Sequence, residues 1–139
     1  MTLVIDASLV VSALVDSSDT GRWAESQLTS GPLSAPHLMP VEVTNILRRS
    51  AASGEITQDV ASMALADLLD LRVELFPYAP FAPRVWELRD NVTSYDAWYV
   101  ALAEFLGSSV ATLDRRLARA AGPRCGFETP SAGQRRATD

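Results

Sequence analysis

Short apolar runs alternate with amphipathic stretches along this chain, and their periods separate strands from helices. Residues 2–5 are β-branched and aliphatic and read as a buried strand. Residues 8–15 have the spacing of a short helix. Ser17, Ser18, Asp19 and Gly21 read as a turn, followed by a helix over 22–28. A second strand is expected at 33–35, between Pro32 and Pro36. The amphipathic stretch 37–52 follows; Val43, Ile46 and Leu47 mark its apolar face, and Gly54 ends it. Thr57 is placed to cap a helix running to residue 70. A strand at 73–76, helices at 81–90 and 95–106, and a strand at 110–113 come next, with Gly107 stopping the second helix. A short helix at 115–121 and an edge strand at 125–127 close the pattern. Strands alternating with helices predict an α/β fold with a short, mostly parallel sheet and helices on both faces. Residues 1–130 read as one domain, and 131–139 as a polar tail expected to be disordered.

Composition narrows the function. The 139 residues fit one domain, and 47% hydrophobic content supplies a core. No apolar stretch approaches the ~20 residues of a membrane span. The start of the chain lacks a basic leader, and Asp6 interrupts its first apolar run, so a cytoplasmic protein without a signal peptide is expected. Cys125 is the only cysteine, which excludes a disulfide framework and a cysteine zinc cluster. A net charge of −5 excludes a broad electrostatic footprint on nucleic acid, so any such contact is local. All 12 basic residues are arginine, which excludes every mechanism that needs a catalytic lysine.

The candidate chemistry lies in four acids set in apolar sequence: Asp6, Glu42, Asp96 and Asp114. A lone carboxylate in such surroundings is costly. Each has a plain structural role open to it. Asp6 or Ser8 is placed to cap the first helix, Asp114 the last, and Asp96 suits a first helical turn by its charge. Glu42 reads as a solvated helix residue, although Val41 and Val43 flank it and Asn45 lies on the same face. Jointly, with Asp6 and Asp114 at predicted strand ends, the acids point to one site beyond the carboxyl edge of the sheet. A hard divalent cation is the simplest shared counter-ion, and phosphodiester hydrolysis is chemistry that such an ion supports.

At these residues the chain resembles a known family. V-I-D-A-S, E-V-T-N-I-L-R-R, Y-D-A-W-Y-V-A-L-A and T-L-D-R-R-L match, in order and spacing, PIN-domain ribonucleases and more narrowly VapC-type toxins of bacterial toxin–antitoxin pairs. The resemblance implies a single PIN-like domain acting as a Mg²⁺- or Mn²⁺-dependent endoribonuclease. It implies Asp6, Glu42, Asp96 and Asp114 as metal-site and catalytic residues, with Ser8, Thr112 and Asn45 in support. It further implies an RNA substrate, a homodimer, and a VapB-type antitoxin that neutralises the enzyme. Some members carry a further acid or amide after the last aspartate; here Arg115, Arg116 and Leu117 follow, which favours one protein-held ion.

Arg115, Arg116, Arg48 and Arg49 are candidate RNA contacts, with solvated helix faces as the other reading. His37 reads as a helix-start residue and Cys125 as a small buried side chain. Trp98, Tyr99 and Leu102 read as core or interface. Three further readings compete: a lysine-dependent phosphoryl-transfer domain, which the missing lysine disfavours; a PIN nuclease that is not a toxin; and an inactive acidic pocket docking an arginine-rich peptide.

Overall fold

A computed structural model describes residues 2–131. The element order is β1 (Leu3–Ile5), α1 (Ala7–Val15), α2 (Asp19–Leu28), β2 (Leu33–Pro36), α3 (Leu38–Ala52), α4 (Gln58–Asp70), β3 (Val73–Phe76), α5 (Ala82–Glu87), α6 (Ser94–Leu106), β4 (Val110–Ala111), α7 (Arg115–Ala118) and β5 (Phe127–Glu128). A 3-10 turn, Ala79–Phe81, leads into α5.

The five strands are all parallel, in the order β3-β2-β1-β4-β5. Burial shows why the inner strands read as continuous apolar runs. Val4 and Ile5 point to opposite faces of the sheet, as do Val110 and Ala111, and all four are buried. Both faces are therefore covered by helices, as a parallel sheet requires. The edge strands β3 and β5 are partly exposed. α6 packs against β1, β2 and β4, while α1, α2, α3 and α4 pack on one another.

This order sets the position of the site. The chain builds β1, β2 and β3 in one direction, then returns to place β4 on the other side of β1. Ligands of such sheets bind where the order reverses, outside the carboxyl ends of the strands. Here that point lies beyond Ile5 and Ala111, which are register partners.

Several boundaries differ from the sequence reading. Asp19 and Gly21 lie in the first turn of α2, not in a preceding turn. The glycine is required by a close approach: a Cβ there would fall 1.7 Å from the Asp16 carbonyl oxygen. The helix expected at 81–90 is shortened to α5, with the 3-10 turn ahead of it. α7 ends at Ala118, short of the expected residue 121. β4 ends at Ala111, because Thr112 and Leu113 turn toward the site. β5 begins at Phe127, since Arg124 ahead of it donates its amide to Glu104 at 2.7 Å instead of entering the sheet. Gly107 adopts a left-handed conformation (φ 65°) and stops α6 as expected. Of the expected polar tail, residues 132–139 lie outside the described residues.

Candidate active site

Asp6 follows β1 directly and caps α1, accepting the Leu9 amide at 3.0 Å through Oδ1. The Ser8 hydroxyl donates to the same oxygen at 2.8 Å, and the Thr112 hydroxyl donates to Oδ2. Capping and lining a site are thus not exclusive roles, and Ser8 supports the cap without being it. Strand pairing makes this possible, because the Asp6 amide donates to the Ala111 carbonyl at 3.2 Å and fixes β1 beside β4.

Thr112 emerges one residue beyond β4 and is completely buried. Its hydroxyl oxygen also accepts the Asp114 amide at 2.9 Å. One threonine therefore joins the first and last acids. Asp114 caps α7, accepting the amides of Arg116 at 2.9 Å and Leu117 at 3.2 Å. Ser8 closes the loop by accepting the Leu113 amide at 3.3 Å.

The other two acids arrive on helices. Thr93 caps α6 by accepting the Asp96 amide at 3.2 Å, which sets Asp96 in the first turn. Glu42 lies in the early part of α3. Tyr99, one turn along α6 from Asp96, donates its hydroxyl to Glu42 Oε1 at 2.5 Å. The sequence reading assigned Tyr99 to core or interface. Its ring is buried, yet its hydroxyl lies at the site; the three-residue spacing from Asp96 was the signal that placed them on one helical face.

All four acids, with Ser8, Tyr99, Ala7 and Ile46, line one pocket of about 180 Å³. Larger hollows of about 510 and 570 Å³ exist, but the carboxylate they share, Glu104, is already paired with Arg84. Size therefore does not pick out the site; unpaired charge does.

Burial pushes the Asp6 carboxyl up to about 6, against the hydrogen bonds from Thr112, Leu9 and Ser8, and the Asp96 charge adds to the rise. Glu42 is raised by burial and by Asp96, while the Tyr99 hydrogen bond opposes this. Asp96 is raised by burial and by the Asp114 charge; the Thr93 hydrogen bond and the Arg116 charge pull the other way. The Tyr99 phenol is itself held strongly in its protonated form by burial and by Glu42, so it donates at any working pH.

The remaining candidates are more dispersed. Asn45 is exposed and accepts from Arg48 Nε at 3.0 Å, outside the pocket lining. Ile46 occupies the pocket side of α3 and also lines a neighbouring hollow with Arg49. Arg115 turns its guanidinium to the Pro130 carbonyl, whereas Arg116 is exposed and acts electrostatically on Asp96. His37 precedes α3 and makes no capping hydrogen bond with its side chain. Cys125 is partly buried, and burial pushes its thiol up to about 11, which suits an inert side chain. No helix of the described residues is long and apolar enough to cross a membrane.

Comparison with known proteins identifies the family. Residues 3–123 match the PIN domain. Over 123 residues the chain is 41% identical to Ribonuclease VapC1 of Mycobacterium tuberculosis, covering 88% of this chain and 92% of the relative. The crystal structure of PAE2754 from Pyrobaculum aerophilum superposes with a TM-score of 0.69 at 21% identity, covering 99% of this chain and 90% of that one. VapBC2 from Rickettsia felis, solved bound to a DNA fragment from its promoter, gives a TM-score of 0.67 at 15% identity, covering 93% and 98%. These last two similarities bear on the fold, and the VapC1 match on the family. The chain therefore belongs to the PIN-domain family and, within it, to the VapC ribonucleases, the endoribonuclease toxins of VapBC systems.

Proposed function

We propose that this chain hydrolyses RNA phosphodiester bonds with Mg²⁺ or Mn²⁺ held by Asp6, Glu42, Asp96 and Asp114. The observation that carries this reading is the gathering of four carboxylates from separate parts of the chain on one pocket with no arginine in its lining. Burial without a cation is costly, which is why three of the four resist ionisation. PIN-domain VapC nucleases generally depend on a divalent metal.

The donors fit a hard cation in type, since all are carboxylate or hydroxyl oxygens. Among the described residues, no three acidic, histidine or cysteine side chains form a ready coordination shell. Mg²⁺ suits that arrangement, because it keeps several waters and uses only one or two carboxylates directly. When bound, such an ion neutralises charge on the phosphoryl oxygens and makes a water more acidic.

The chain's own residues do the rest. Ser8, Leu9 and Thr112 hold Asp6 through both oxygens. Thr112 also ties Asp114 to the same point. Glu42 Oε2, the oxygen that Tyr99 does not engage, is suited to take a proton from an attacking water. Arg116 sits where it offsets the acidic field for an approaching phosphate, and Ile46 links the pocket to a hollow lined by Arg49, whereas Arg48 lines a separate hollow between α3 and α4. Asn45 accepts from Arg48 and leaves the acids to others.

Control by a partner completes the proposal. A VapB-type antitoxin would supply an arginine to the acid pocket, where a bidentate fork between carboxylates displaces the ion. Val60 and Met63 are exposed apolar side chains one turn apart on α4, a face suited to an apolar partner segment. A homodimer would present two arginine rims to one RNA in the cytoplasm.

The test is cleavage of RNA by purified protein after chelation, with Mg²⁺ or Mn²⁺ added back. Loss on chelation and recovery on addition are expected. Cleavage that ignores chelation would overturn the metal site, and RNA left intact under every condition would favour a peptide-docking module.

A further inference from the structure

We infer that Tyr99 is a positioning residue for the acid pocket, acting through Glu42; the inference rests on the metal-site reading above. Glu42 differs from Asp6 and Asp114 in how it is held. Asp6 is clamped through both oxygens by a main-chain amide and two hydroxyls. Asp114 is fixed by the two amides that it caps. Glutamate has one more rotatable bond than aspartate, and Glu42 projects from within a helix, where no main-chain amide is available to it. Its carboxylate is held by the Tyr99 hydroxyl, across a sequence separation of 57 residues.

That contact has the character of a built device. The ring of Tyr99 is only 2% exposed and is anchored in the core between α6 and the sheet, so its hydroxyl has little freedom of its own. Asp96 and Tyr99 share one face of α6, so a single helix both contributes one acid and aims another. The phenol takes Glu42 Oε1, and both side chains line the pocket, which leaves Oε2 free of that contact. Hydroxyls play the same part at the other end of the site, where Ser8 and Thr112 orient Asp6. Outer groups of this kind are typically worth about 10–100-fold in metal affinity or activity.

Tyr99→Phe keeps the ring and removes only the hydroxyl, which separates positioning from packing. Mn²⁺ binding to the full chain is measured by calorimetry, in the wild-type background and in Glu42→Ala. Tyr99→Phe is expected to weaken Mn²⁺ binding about tenfold or more in the wild-type background. In Glu42→Ala it is expected to change nothing further, because the group it acts through is gone. Glu42→Ser serves the same purpose should the alanine variant not accumulate. In RNA cleavage kcat should fall with KM unchanged. Equal losses in both backgrounds would assign Tyr99 a packing role and overturn the inference. So would an unchanged Tyr99→Phe beside a weakened Glu42→Ala, which leaves the metal site standing. If wild type binds no Mn²⁺, or Glu42→Ala binds it as wild type does, the metal assignment of Glu42 fails first and the inference fails with it.

Discussion

Two regions of this molecule bury carboxylates, and they resolve the cost in opposite ways. Glu104, on the far part of α6, is gripped by Arg84 through both oxygens, at 2.7 and 3.0 Å, and accepts the Arg124 amide at 2.7 Å. Burial alone would raise it, but these hydrogen bonds and charges hold it below the ordinary carboxylate range. At the carboxyl edge of the sheet, hydroxyls and amides orient Asp6, yet no arginine lines the pocket, and Asp6 is raised to about 6. The first arrangement is self-sufficient and staples the segment before β5 to the helices. The second is oriented but uncompensated, which is the state expected of a site that takes up a cation.

The sharpest way to break the comparison is to neutralise acids on each side. Asp6→Asn, Asp96→Asn and Asp114→Asn should each lower RNA cleavage by orders of magnitude while the protein stays folded. Glu104→Gln should retain the chemistry. Single-turnover cleavage by the purified variants checks this, and near-wild-type rates in any two of the aspartate variants would dissolve the shared site.

The two regions should also titrate with opposite sign. Asp6 has a folded pKa above its unfolded one, so its contribution is fully present below about 3.8 and is lost as pH rises through about 6. At neutral pH in chelator the penalty is about 3 kcal/mol at most. Glu104 is depressed, so its contribution is present above the unfolded pKa and is lost as pH falls through the folded one. Urea unfolding across this pH range should show the Asp6 trend flattened in Asp6→Asn and the Glu104 trend flattened in Glu104→Gln.

Metal should act on one region only. At ~100 times its dissociation constant, Mg²⁺ or Mn²⁺ should stabilise the wild type by about 2.7 kcal/mol. That gain should shrink in Asp6→Asn and persist in Arg84→Ala. A thermal scan in which wild type ignores both ions would contradict the reading. Arg84→Ala itself should cost about 2 kcal/mol, because it strands a partly buried carboxylate.

The smallest effect concerns the rim. Arg116→Ala should weaken RNA binding a few-fold and reduce its salt slope by about 1, while Arg115→Ala should do less, because Arg115 is committed to the Pro130 carbonyl. Equal effects from both would restore the two arginines to a common role.

Much of the fold and of the site was legible in the residues. The strand at β1 with Asp6 at its end, the long α3 and the stop at Gly107 all follow from period, capping and glycine chemistry, which are local. Asp6 and Asp114 were recognisable because a carboxylate directly after an apolar run is costly unless used, although only Asp6 follows its strand directly. Short elements were harder to bound. β4 and β5 each span 2 residues, and contacts to distant partners bound them: Thr112 to Asp6 just after β4, and Arg124 to Glu104 ahead of β5.

Sequence by itself therefore determined the class of fold and singled out the four acids that line one pocket, because burial cost and helix signals are properties of neighbouring residues. Tertiary structure alone decided which groups hold those acids. It turned Asn45 outward to Arg48, sent Arg115 to Pro130, and brought the Tyr99 hydroxyl to Glu42. The reason is physical. A hydrogen bond between residues 57 or 106 positions apart depends on how strands and helices pack, and no local period encodes that distance.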